Sequence, residues 1–136
     1  MSQKIVVAGS GFAGLWSALS AARAVELAGK HNEIEIVVIS PSPTLVVRPR
    51  LYEAVTEDID PDLGPLFSVM GVQHIAGRVK TIRADRHELE LVSATGECST
   101  LRYDKFVLAA GSALFQPSIP GLAEFSFNVD QLADAK

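Results

Sequence analysis

Residues 3–8, QKIVVA, form a short apolar run rich in β-branched side chains, the pattern of a strand buried on both faces. Glycines follow. Then Phe12, Leu15, Trp16 and Leu19 fall at i, i+3, i+4 and i+7, which predicts a helix from Phe12 with that stripe, Trp16 included, turned to the core. Alanine-rich sequence extends the helix to Gly29, a suitable stop. Residues 34–40, IEIVVIS, predict a second buried strand, and Pro41 and Pro43 end it. RPRLYEAV predicts a short helix with Pro49 in its first turn, and DPDLGPLFSVMG predicts another. From residue 72 the pattern changes. VQHIAGRVKTIRA, HELELV and CSTLRY are β-like runs separated by polar turns at residues 83–86 and 93–96, which predicts a three-stranded antiparallel meander over about 72–103. KFVLAAG, 105–111, is a buried closing strand ending in small residues. Pro117, Pro120 and Gly121 mark a loop, and EFSFNVDQLADAK begins a further strand or helix.

Composition narrows the classes. A chain of 136 residues suits one domain. Its net charge of −4 gives no basic face for nucleic acid. A single cysteine, Cys98, excludes an internal disulfide and any CxxC or CxxxxC redox pair, and a reduced cytoplasmic compartment is expected. The apolar start, KIVVAGSGFAGLWSALSAA, is broken by three glycines, unlike the unbroken core of a signal peptide. No apolar stretch reaches the roughly 18 residues that a membrane span needs.

The chemistry is carried by Gly9-Ser10-Gly11-Phe12-Ala13-Gly14, a G-x-G-x-x-G run between a strand and an amphipathic helix. Gly9 permits the tight turn, Gly11 lets the backbone approach a pyrophosphate, and Gly14 lets helix and strand pack closely. The helix start offers unpaired N–H groups, including those of Phe12 and Ala13, and a positive dipole end. An α/β, Rossmann-like dinucleotide-binding fold follows: a parallel sheet with a small antiparallel β-meander. The second strand of such a fold ordinarily ends in a carboxylate that holds a ribose; here it ends in Ser40, followed by Pro41. Exchanging charge-assisted for neutral bonds weakens ribose binding by about 1–2 kcal/mol and leaves NADP open as a ligand.

The chain resembles the N-terminal FAD-binding part of two-dinucleotide-binding, pyridine nucleotide-disulfide oxidoreductase-like flavoproteins, most of all type II NADH dehydrogenases. IVVAGSGFAGL is similar to their FAD phosphate loop. TLVVRPRLYEAVT is similar to the family segment H-L-F-Q-P-L-L-Y-Q-V-A-T beside the flavin, with Pro49, Leu51, Tyr52 and Thr56 matching. YDKFVLAAGS is similar to Y-D-x-L-V-x-A-T-G-S, and IPGLAEFSFNV to the linker entering the NADH domain. The resemblance implies that the Val79 backbone meets the adenine. It also implies that Ala110 and Gly111 approach the pyrophosphate or flavin, and that Pro49 and its neighbours approach the isoalloxazine. Arg48 and Arg50 stand where Gln and Leu are usual, and Ala110 where Thr is usual; an arginine near a flavin would stabilise its anionic reduced form. The resemblance implies that this is a Rossmann-like FAD/NAD(P)-binding fold left incomplete: residues 1–136 are a partial FAD/NAD(P)-binding domain, with 117–136 leading to a missing NADH domain.

Other constellations fail their templates. Asp58, Asp60 and Asp62 suggest a calcium loop, but Leu63 stands where Gly is required and Val69 where Glu is required. His31, His74 and His87 lack ligand spacing. Ser10 and Ser112 lack a His/Asp partner set, so no catalytic acid, base or nucleophile and no metal ligand is expected. The expected function is the FAD-binding portion of an NAD(P)H-oxidising flavoprotein. Hydride would pass from NAD(P)H to FAD and on to a quinone or similar acceptor, with the complete protein cytoplasmic or peripheral to a membrane. The alternative is a non-catalytic NAD(P)-binding module, or one that forms a homodimer through exposed core.

Overall fold

The computed structural model describes residues 2–53 and 58–126. β1 (Gln3–Ala8), β2 (Ile34–Ser40), β3 (Val72–Ala76) and β7 (Lys105–Leu108) form a parallel sheet in the order β3-β2-β1-β7. β4 (Arg78–Arg83), β5 (Glu88–Val92) and β6 (Cys98–Arg102) form a separate antiparallel sheet. α1 (Phe12–Leu27) connects β1 to β2, and α2 (Gly64–Val69) precedes β3. A 3-10 helix at Arg48–Tyr52 carries Pro49 in its first turn, and a short α3 (Leu122–Phe125) follows the last strand.

Alternation along the central strands makes three layers. Val7, Ile36 and Val38 turn to one face and pack with Leu15, Ala18, Ala22 and Val25 of α1 and with Phe67 of α2. Val6, Val37 and Ile39 turn to the other face and pack with Leu89 and Leu91 of β5. Both faces of the parallel sheet are therefore covered, which is why β1 and β2 read as unbroken apolar runs instead of alternating ones. A second anchor ties β7 to β1: the Asp104 N–H donates to the Lys4 carbonyl at 2.9 Å, and the Asp104 carboxylate accepts from the Lys4 N–H at 2.6 Å.

The structure departs from expectation in three places. The run VQHIAGRVKTIRA is two strands, not one. β3 adds in parallel to β2, Gly77 turns the chain, and only residues from Arg78 onward enter the meander. The Gly77 N–H donates to the Ser40 carbonyl at 3.0 Å, and a Cβ at Gly77 would sit 2.9 Å from the Val92 carbonyl oxygen. The bare backbone at this position is what lets one β-rich run change sheets. The closing strand is also shorter than 105–111, ending at Leu108.

The third departure is Trp16, expected in the core and instead 64% exposed. α1 buries Gly14, Leu15, Ala18, Ala22 and Val25. Small residues at 14, 18 and 22 let the helix approach the sheet, and Phe12 and Trp16 lie outside that stripe. The second half of the expected 117–136 linker, residues 127–136, lies outside the described residues, as does Thr56 of the flavin-segment match.

Leu89 is fully buried where the meander meets the parallel sheet, while Ile82 of β4 is 41% exposed. Leu89→Ala should cost about 2–5 kcal/mol, read as a lower urea midpoint. Ile82→Ala should cost well under half of that, on the same measurement.

Candidate functional site

The C-terminal ends of β1, β2 and β7 lie side by side, and the segments leaving them meet. Gly9 follows β1 with φ +109°, a left-handed conformation that L side chains rarely adopt. A Cβ there would lie 2.1 Å from the carbonyl oxygen of Ala109, just past β7. At Gly14 a Cβ would lie 1.9 Å from the Gly9 carbonyl oxygen. Gly9 and Gly14 are thus required by protein packing. Gly11 is different: its φ of −66° suits any residue, and among the described residues a Cβ there would meet no atom within 4 Å.

Gly11 caps α1 with no side-chain hydrogen bond, and the first turn of α1 carries no acidic residue. The N–H groups of the first turn, at Phe12, Ala13 and Gly14, have no partner within the helix. They form the positive end of a 16-residue helix beside the open side of Gly11. This arrangement suits an anion, and the glycine at 11 keeps its approach clear.

The second wall is the segment after β2. Ser40 is 4% exposed. Its hydroxyl donates to the Ser42 carbonyl at 2.6 Å and stands 2.9 Å from Nε2 of His74 on β3. The Ser10 hydroxyl, from the glycine run itself, donates to the Thr44 carbonyl at 2.7 Å. The Ser42 and Thr44 hydroxyls are 2.9 Å apart. The ring of His74 stacks with Phe67, and burial pushes its pKa below the usual 6.5, partly opposed by a hydrogen bond to the Ser40 backbone.

The third wall is the segment after β7. Ala110 lies against Gly9, and Gly111 takes φ +75° with open space where a Cβ would be. Arg48 Nη1 donates to the Ser112 hydroxyl at 3.3 Å, joining the 3-10 helix to this segment. Arg50 points elsewhere: its guanidinium pairs with Glu53 at 3.0 Å and donates to the Asp58 carbonyl at 3.2 Å. Pro49 sits between these arginines in the 3-10 helix, and Pro41 is exposed after Ser40. Val79 pairs with Leu91 in β4, two residues past the Gly77 turn, and packs against the core between the sheets.

The structure therefore brings together Gly9, Gly11, Phe12, Ala13, Gly14, Ser40, Pro41, Ala110 and Gly111 at one sheet edge, with Arg48 closing the rim. Sequence reasoning passed over Ser10 and His74. Ser10 offered no nucleophile pattern, and His74 becomes a neighbour of Ser40 only because β3 pairs in parallel with β2. Of the aspartates weighed as a calcium loop, Asp62 accepts from the N–H of Gly64, the first residue of α2, at 2.8 Å.

A family model for pyridine nucleotide-disulphide oxidoreductases matches residues 3–136. The chain belongs to that family. Members of the pyridine nucleotide-disulphide oxidoreductase family bind FAD. The chain is 42% identical over 128 residues to an NADH dehydrogenase-like protein of Mycobacterium tuberculosis, covering 93% of this chain and 31% of that protein. It is 30% identical over 138 residues to the demethylphylloquinone reductase of Synechocystis, covering 97% of this chain and 33% of the relative. The chain thus spans about a third of the length of these relatives. NDH2 of Plasmodium falciparum, solved in complex with NADH, superposes with a TM-score of 0.80 at 15% identity, over 99% of this chain and 27% of that one. The reduced CoADR-RHD of Bacillus anthracis superposes with a TM-score of 0.82 at 20% identity, over 99% of this chain and 25% of that one. At those identities the structures establish the fold alone, a Rossmann-type α/β scaffold. The family's name refers to disulphide chemistry, for which the one cysteine here, exposed Cys98, supplies no internal partner.

Two predictions follow from the geometry. Gly11→Ala should leave the thermal midpoint within about 2 °C of the parent, since the added methyl meets no atom. Gly14→Ala should cost about 3 kcal/mol or more on the same measurement, because the obstacle is backbone and cannot rotate away. The second concerns His74. Its folded pKa lies below the 6.5 of the unfolded chain, so the unfolded chain takes up the proton first. The associated stability is whole above pH 6.5 and is lost as pH falls through the folded value. The thermal midpoint should therefore drop more steeply on acidification from pH 6.5 in the parent than in His74→Gln.

Proposed function

We propose that this chain supplies the FAD-binding portion of an NAD(P)H-oxidising flavoprotein, in which electrons pass on to a quinone or similar acceptor. One observation carries the reading: at Gly11 the glycine run is open to a ligand, whereas at Gly9 and Gly14 it is closed by the protein's own backbone. Packing alone would not call for a glycine at 11. The N–H groups of the first turn of α1 would hold the FAD pyrophosphate, each charge-assisted bond contributing about 1.5–3 kcal/mol. The helix dipole would add about 0.3–1 kcal/mol. Ala110 and Gly111 would line the path from pyrophosphate to flavin, and the Val79 backbone would meet the adenine. Pro49 and Arg48 would stand towards the isoalloxazine, where the guanidinium would favour the anionic reduced flavin.

Bound FAD supplies the hydride acceptance from nicotinamide and the onward electron transfer. The chain's part is to bind, orient and electrostatically tune, and none of its residues is assigned a proton-transfer role. The names of the relatives support the reading: one is NADH dehydrogenase-like and another a quinone reductase. Among the described residues no helix is long and apolar enough to cross a membrane.

A second reading, a non-catalytic module that self-associates, has its own supporting observation. Phe12, Trp16, Leu108, Leu114 and Phe115 are exposed, and among the described residues β7 pairs with no strand beyond β1.

One experiment separates the two. Protein mixed with FAD and desalted should retain yellow flavin absorbance, and Gly11→Val should release it with an unchanged far-UV circular dichroism spectrum. Colourless protein that sediments above monomer mass would instead favour the second reading.

A further inference from the structure

Ser40 stands where a ribose-binding carboxylate is usual, yet its hydroxyl is turned inward. Its one proton is donated to the Ser42 carbonyl at 2.6 Å. The Nε2 of His74, 2.9 Å away, must then be the donor, so the imidazole carries its proton on Nε2 and Ser40 accepts it. With its one proton committed and 4% exposure, the Ser40 hydroxyl has no donor left to offer a ligand. The stretch it holds is also fixed at its far end, where Ser10 of the glycine run donates to the Thr44 carbonyl. The Leu45 N–H donates to the Pro61 carbonyl and the Leu63 N–H to the Pro43 carbonyl, pinning the same stretch from outside. Within it, Pro41 and Pro43 have no N–H, so the main-chain donors are those of Ser42 and Thr44.

We infer that Ser40 and His74 are positioning residues: together they set the main chain of residues 41–44 as the ribose-side wall of the nucleotide site, and neither contacts the ribose. The inference rests on the dinucleotide reading above and replaces side-chain recognition of the ribose with main-chain recognition. The chain Nε2–H (His74) to Oγ–H (Ser40) to carbonyl (Ser42) runs from β3 through β2 into the wall. Removing the Ser40 hydroxyl leaves the Ser42 carbonyl with the longer 3.4 Å contact from the Ser10 hydroxyl, and removing His74 leaves the Ser40 hydroxyl unanchored, so either change loosens the wall and the N–H groups within it.

The test is an affinity cycle with ADP and 2′-deoxy-ADP. Ser40→Ala should weaken both nucleotides by the same factor, about three- to tenfold, leaving their ratio as in the parent. Loss of the ADP preference in Ser40→Ala, or no weakening at all, overturns the inference by showing a direct ribose contact or no role. A second pair of variants stands independently of how Ser40→Ala folds. His74→Gln, whose amide can still donate to Ser40, should bind ADP within about twofold of the parent, and His74→Leu should weaken it as Ser40→Ala does. Equal binding by His74→Gln and His74→Leu overturns the inference. Failure of the parent protein to bind ADP is a different result: it removes the dinucleotide reading itself and the inference with it.

Discussion

The fold depends on one close approach. The first turn of α1 lies so near the end of β1 that the Gly9 carbonyl occupies the space of a side chain at Gly14, and the Ala109 carbonyl occupies that of a side chain at Gly9. A strand, a helix and a second strand therefore touch through backbone alone. Backbone cannot rotate out of the way, so this geometry tolerates no compromise. Its consequence is chemical. The partnerless N–H groups of the helix start are held at a fixed place beside the sheet edge, where the β1, β2 and β7 strand ends converge. Ligands in open α/β sheets bind at such carboxyl edges, and here glycine contacts place the helix start at that edge.

The rest of the molecule supports that edge. The close approach of α1 requires small residues along its buried stripe, so Ala18 and Ala22 are core while Trp16 faces outward. The sheet beneath is covered on its second face by Leu89 and Leu91 of the meander. Gly77 makes the meander possible, because the chain leaves the parallel sheet there with its backbone against both the Ser40 and Val92 carbonyls. The turn that separates the two sheets thus also touches Ser40, where the segment after β2 begins. Packing and site are joined through the same few backbone groups.

Glycine spacing made the tight strand-to-helix turn legible in the sequence, since the motif between a strand and a helix has few physical explanations. The partners of Ser40 were not legible. A serine at a strand end carries no sign of whether it faces ligand or core, and His74 is 34 residues away. The parallel pairing of β2 with β3 decides the matter, and local pattern reads β3 as part of the meander because β-branched content marks a strand without naming its sheet. The helical stripe was misread for a related reason. Large apolar side chains dominate a periodicity count, whereas the buried face was chosen by how close the helix had to come.

The sequence by itself determined the strand–glycine–helix opening, the two buried strands, the turn positions and the family resemblance. These are local properties, set by backbone freedom, apolar runs and proline. Tertiary structure alone decided which glycine is open to a ligand, which sheet β3 joins, which face of α1 is buried and where the Ser40 hydroxyl points. Each of those depends on atoms distant in the chain meeting at separations of a few ångströms, and no one-dimensional pattern records such meetings.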